Sequence, residues 1–174
     1  MKEVKVYKID AARRQTDQTI KLFFSEQDEI SIHTLACAAH EILSNLVGQE
    51  NSISLYDGLI KGAPKDRKKE VKNKLNQAKN FFKHADKDPE GNIIFRPENN
   101  DFMLFDNTQL YEQHTGEMTD LMKIFRLWFK LKQDVHPEIS LPDLTASINN
   151  KLVFFEKARR IIDNMFLNSP ANSE

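Results

Sequence analysis

Apolar residues recur at helical spacing along most of the chain, and the pattern divides it into a series of helices. Ala12, Thr16, Thr19, Ile20 and Phe23 share one face of a segment that starts near Asp10, a residue of N-cap type, and runs to about Ser25. The clearest amphipathic stretch is Ser31 to Val47, where Ile32, Leu35, Ala36, Ala39, Leu43, Leu46 and Val47 line one side and Gly48 supplies the stop. Ile53 to Ile60, interrupted by Gly58, Gly62 and Pro64, predicts a connector of one or two turns. A basic helix follows, from about Lys65 to Ala85, with Val71, Leu75, Ala78, Phe82 and Ala85 on its apolar face. Asn73, Gln77, Asn80 and His84 form an opposite polar stripe. Pro89 and Gly91 make Asp86 to Asn92 a turn. Val4 to Tyr7 reads as extended, Ile93 to Phe95 as a short strand or an apolar plug, and Phe102 to Leu110 as a loop-to-helix region ending near Gly116. Two further helices close the chain. Met118 to about Val135 carries Leu121, Met122, Phe125, Trp128 and Phe129; Asp143 to about Leu167 carries Leu144, Ile148, Leu152, Phe155, Ile162 and Met165. The expected fold is an all-α, single-domain bundle of about five to six helices over residues 1–167, with a disordered tail at 168–174.

Composition supports that class. With 174 residues the chain is long enough to bury a core without disulfides, and five glycines and six prolines are few for a strand-and-turn architecture. Cys37 is the single cysteine, which excludes an intrachain disulfide, and Met1 to Val6 contains no apolar leader, so the expected location is cytoplasmic. No apolar run is long enough to span a membrane. The net charge of −1 conceals a strong asymmetry: Lys61 to Lys83 holds nine Lys/Arg against two acids, and His84 to Asp120 holds nine acids against Lys87 and Arg96. A near-neutral chain is a poor general nucleic-acid binder, yet its basic helix can supply phosphate contacts on one face.

Three patterns carry candidate chemistry, and two point to structure. His33, Cys37 and His40 stand at i, i+4 and i+7 on one stripe, residue types that suit zinc; the spacing matches no zinc motif, and the small Ala-Cys-Ala-Ala run predicts packing, with no metal bound. Asp86, Asp88, Glu90 and Gly91 resemble the opening of a calcium loop, but Pro97 falls where a bidentate glutamate is needed. Arg13 and Arg14 sit in the first turns of their helix, where cations are disfavoured, and are expected to be exposed. The aromatics of the C-terminal half sit at helical spacing among aliphatic residues, as core does. No Gly-rich phosphate loop, nucleophile elbow or spaced metal motif is present, and no cofactor is expected.

The third pattern is Lys79-Asn80-Phe81-Phe82-Lys83-His84. It resembles the Arg-Asn-x-x-x-His motif of HEPN proteins, a superfamily of small all-helical, usually dimeric domains, many of which are metal-independent endoribonucleases. The resemblance implies that His84 is the acid/base catalyst, that Asn80 positions the substrate, and that Lys79 stands where the family's arginine faces phosphate; Lys72 and Lys83 would then contact RNA. Histidine titrates near neutrality and suits proton transfer at a 2′-hydroxyl and a leaving oxygen. Lysine keeps the charge of the family's arginine but not its planar fork. Ile32 to Ala36 and Asn80 to Pro89 also resemble segments of an uncharacterised bacterial protein family, which implies a bacterial origin and no particular chemistry. Two readings stay open. One is a dimeric ribonuclease of toxin or RNA-processing type, whose copies meet along the Asn73–Asn80–His84 stripe. The other is a non-catalytic helical dimer that binds a protein or small ligand, with His84 only closing its helix through the dipole interaction.

Overall fold

The computed structural model describes residues 3–48, 51–84, 86, 88–133 and 141–167. Among them are nine helices and no strand: α1 (Lys8–Phe24), α2 (Glu29–Val47), α3 (Leu55–Gly62), α4 (Lys68–Leu75), α5 (Gln77–Phe81), α6 (Asn99–Thr115), α7 (Asp120–Lys132), α8 (Pro142–Thr145) and α9 (Lys151–Leu167). The all-α class expected from the pattern is the class adopted. No helix among the described residues is long and apolar enough to cross a membrane.

The helix count exceeds expectation because polar side chains break two of the expected helices. The basic stretch divides at Asn76, whose amide Nδ2 donates to the Lys72 carbonyl at 2.8 Å. The backbone N–H of Asn76 donates to the same carbonyl at 3.0 Å, so that carbonyl accepts two bonds where the helix divides. α5 then ends at Phe81, short of the expected Ala85, which lies outside the described residues. The last helix divides at 146–150: Ser147 Oγ donates to the Asp143 and Leu144 carbonyls, and Asn150 Oδ1 accepts from the Val153 amide to open α9. The phase of α9 is therefore reset, and Phe154 and Ala158 enter the core while Leu152 faces solvent. Leu46, expected inside, is also exposed.

Other boundaries follow their caps. α1 starts at Lys8, so Asp10 lies in its first turn rather than at the cap. α2 is capped by Asp28, whose carboxylate accepts from the Ser31 amide at 2.7 Å. Gly116 closes α6 in the left-handed region, φ 77°, a conformation glycine adopts without a Cβ clash. Val4 to Tyr7 is exposed and unpaired with any strand, and 93–95 is likewise not a strand. Phe95 acts as the plug, edge-on to His33 and Phe82 at ring distances of 4.9 and 5.3 Å. The expected end of α7 near Val135, the Met165 side chain and the tail 168–174 lie outside the described residues.

The core gathers where α1, α2, α6, α7, α8 and α9 meet. Its densest part is aromatic: Phe23, Phe24, Phe125, Trp128 and Phe154 are all buried. Phe23 meets Phe24, Phe125 and Trp128 edge to face at 5.4, 5.3 and 4.9 Å, the geometry favoured by opposed ring quadrupoles. The indole N–H of Trp128 donates to the Ile148 carbonyl at 3.1 Å, so the largest core side chain leaves no polar atom unpaired. By contrast α3, α4 and α5 contribute no fully buried residue. They lie over α2 and α6 as a cover, and the space beneath them holds the candidate site.

Phe24→Ala removes a ring packed against α1, α7 and α9 together. It is expected to cost about 3–5 kcal/mol in guanidinium unfolding with the slope of the transition unchanged.

Candidate functional site

The site is built on α6, whose buried face is polar. Asn100, Asp101, Asp106, Asn107 and Thr108 are buried alongside Leu104 and Leu110. Such side chains persist inside only when each finds a partner, and here the partners come chiefly from α2 and the start of α3. Asn107 Nδ2 donates to the Ala36 carbonyl at 2.9 Å. Asn100 Nδ2 donates to the Glu29 carbonyl and carboxylate at 3.1 and 3.0 Å. That leaves Asn100 Oδ1 to accept from His33 Nδ1 at 2.9 Å, and His33 Nε2 to accept from the Cys37 thiol at 3.4 Å.

The Cys37–His33–Asn100 chain has the order of a nucleophile, a base and an orienting amide, but its electrostatics are those of a neutral buried network. Burial pushes the Cys37 thiol up to about 11, with Lys79 and Lys83 pulling weakly the other way. Burial lowers the His33 imidazole, and the bond to Asn100 opposes that shift. Both groups are therefore uncharged at neutral pH, and the thiol is only 2 % exposed. The stripe of His33, Cys37 and His40 thus faces the interior and ties α2 to α6; among the described residues no cluster of three or more His, Cys, Asp or Glu side chains is arranged to hold a metal ion.

Asp106 is the centre of a second network. Its Oδ2 accepts from Ser54 Oγ at 2.6 Å, from His40 Nε2 at 2.9 Å and from the Tyr56 amide at 3.3 Å; its Oδ1 accepts from the Leu55 amide at 2.8 Å. Ser54 Oγ in turn accepts from the Asp57 amide at 3.0 Å and so caps α3. A carboxylate at a helix N-terminus, receiving two of that helix's first amides, is held by hydrogen bonds and by the helix dipole together. The consequence is positional: α3 is anchored at its first turn, and Tyr56, Asp57, Ile60 and Lys61 are set over α2.

Beneath them is a cavity of about 290 Å³ between α2, α3, α4 and α5. His40 and Tyr56, with rings 5.2 Å apart, and Cys37 form apolar-to-polar wall, and Lys61, Lys72 and Lys79 supply cations. Lys79 Nζ is paired with Glu41 at 2.6 Å, a contact that holds the Glu41 carboxyl below its usual range. Asp57 accepts from Ser44 Oγ at 3.1 Å. Lys61 and Lys72 make no ion pair among the described residues.

The residues of the Lys79–His84 motif separate. Lys79 turns inward to Glu41 and the cavity. Asn80 and Lys83 are exposed, and His84, half exposed beyond the end of α5, has its Nδ1 3.7 Å from Asp86. Lys72 is exposed and lines the cavity with Lys79, whereas Lys83 and His84 do not line it. Ser54, Tyr56, Glu41 and Asp106 carry this site and none stood out in the sequence. The one signal for them was the run of polar residues at 100, 101, 107 and 108, which repeats at helical spacing without being apolar. In comparisons with known proteins no family model matches the chain, and no curated protein or solved structure matches it.

Two outcomes follow. Asp106→Ala leaves His40, Ser54 and two amides without their acceptor and is expected to cost about 3–5 kcal/mol; hydrogen exchange should accelerate first at the amides of Leu55 to Gly62. The depressed His33 predicts the pH dependence. Its folded pKa lies below its unfolded value of 6.5, so its contribution is complete above that value and is lost as pH falls through the window beneath it. Thermal melts at pH 7.5 and 5.5 should show a drop in the wild type that is smaller in His33→Gln.

Proposed function

We propose that this chain is a helical ligand-binding module whose site is the cavity under α3, α4 and α5, and that its ligand is a small polar anion. The observation that carries this reading is the pair Lys61 and Lys72, two exposed cations that line one cavity and make no ion pair among the described residues. Of the other charged groups in the wall, Lys79 is paired with Glu41, and Asp57 accepts a hydrogen bond from the neutral Ser44 hydroxyl, so the wall carries three lysines against two carboxylates. An anion entering there meets two ammonium donors, the amide-bearing Asn45 and Asn76, and the Tyr56 side chain. Burial pushes the Tyr56 phenol upward, so it remains a neutral donor at any physiological pH. The volume suits a phosphate or a small phosphorylated or carboxylated molecule, at the lower end of ordinary ligand sites.

A second reading is favoured by one observation. Asn80, Lys83 and His84 are all exposed at the end of α5, as a ribonuclease site of HEPN type assembled across a two-fold axis requires. The inward turn of Lys79 weighs against it, because the residue at the family's arginine position is then occupied by Glu41.

Calorimetric titration with inorganic phosphate and glycerol 3-phosphate tests the first reading. Saturable binding is expected, weakened about tenfold by Lys72→Ala and by Lys61→Ala, the loss of one charge-assisted bond each. Absence of binding, or binding in both variants as tight as in the wild type, would remove it. Incubation with total RNA in EDTA tests the second: cleavage by wild type that is absent in His84→Ala would move the site to the α5 terminus.

A further inference from the structure

α3 to α5 cover a second space on their opposite side, and its character is different. It is a groove of about 1380 Å³ lined by Leu55, Leu59, Val71, Leu75, Ile94 and Phe102, among others. Leu59 is 60 % and Ile94 92 % exposed, so apolar surface that helices normally bury stands open here. The groove adjoins the lysine cavity. Tyr56 and Met103 belong to the walls of both, and methionine is the side chain best able to move aside. Its charge is also one-sided. Lys74 and Arg96 line it together with Arg67, which is paired with Glu70, and its single acid, Asp106, has both oxygens engaged by Ser54, His40 and the first amides of α3.

We infer that the anion of the lysine cavity carries an alkyl chain: the ligand is a free, single-chain amphiphile, with its acidic head between Lys61 and Lys72 and its tail running past Tyr56 and Met103 into the groove. This rests on the anion-binding reading above. Three observations select that occupant. The cavity is too small for more than the head, whereas the groove exceeds the volume of most small-molecule sites and is mainly apolar, as a chain requires. Cations outnumber carboxylates at both places, three lysines against Glu41 and Asp57 in the cavity and Arg67, Lys74 and Arg96 against Asp106 in the groove, which disfavours a positively charged amphiphile. Both spaces are partly open to solvent, and Lys61 and Lys72 are exposed, so a dissolved monomer reaches the head site directly.

The experiment is a calorimetric series on the full chain with inorganic phosphate and with butyl, hexyl, octyl and decyl phosphate, all below their micellar concentrations. The dissociation constant is expected to fall about fourfold for each methylene added, the transfer of that group from water into an apolar site. Leu59→Asp combined with Ile94→Asp, both at exposed positions and checked by thermal melting, should collapse the series onto the inorganic-phosphate value. Lys72→Ala should weaken every member by the same factor. Phosphate binding with no dependence on chain length would overturn the tail assignment and leave the anion site standing. Chain-length dependence shared equally by decanol, and unmoved by Lys72→Ala, would overturn the anion reading itself. Equal affinity for decyltrimethylammonium would contradict the charge argument, and tighter binding to phosphatidic acid vesicles than to decyl phosphate monomers would contradict the free amphiphile.

Discussion

A single buried carboxylate sets the geometry on which the functional reading depends. Asp106 projects from the middle of α6, receives His40 from α2, and receives the hydroxyl and the first amides at the head of α3. Four donors on one carboxylate offset the cost of removing it from water, and breaking the set exposes all of them at once to an interior that cannot solvate them. The helices α3, α4 and α5 bury no side chain fully, so little apolar packing fixes their position over α2 and α6. Asp106 and the Lys79–Glu41 pair hold the two ends of that cover instead.

The molecule therefore has two regimes of stability. On one side the aromatic cluster around Phe24 and Trp128 is held by apolar burial, which is non-directional and tolerant of small shifts. On the other, a polar layer joins α2 to α6 through directional bonds: Asn100 with His33, Asn107 with the Ala36 carbonyl, Asp106 with His40. A cover that is anchored at points rather than packed along its length can open with local loss of structure, and regions of that kind are where binding sites are commonly found. The same layer explains why Cys37 and His33 are chemically quiet. Each is desolvated, and the hydrogen bonds between them satisfy the neutral forms.

How much of this was legible in the sequence depends on what each residue packs against. α1, α2 and α7 were readable because their inner faces are mainly apolar, and Ala12, Thr16, Thr19, Ile20 and Phe23 are all buried as their period requires. α6 was not, since hydrophobic periodicity fails for a helix whose buried face holds Asn100, Asp101, Asp106, Asn107 and Thr108. The breaks at Asn76 and at 146–150 depend on side-chain hydrogen bonds that become visible only with the backbone in place. The candidate site suffered most. Lys72 and Lys79 were picked out for their charge, yet the partners that give them a setting, Glu41, Tyr56 and the Asp106 network, come from three distant segments. His84 drew attention through its neighbours in sequence, whereas in space Lys79 leaves that group and joins another.

The central claim is that the chemistry of this chain lies in the lysine cavity under α3 to α5. Amide chemical shifts followed during a titration with octyl phosphate address it most directly, because each amide reports its own surroundings. The account predicts saturable shifts at Tyr56 to Lys61 and at Lys72 to Lys79, with the core amides of α7 unmoved. Shifts confined to Asn80 to His84, or spread evenly over the surface without saturation, would contradict it.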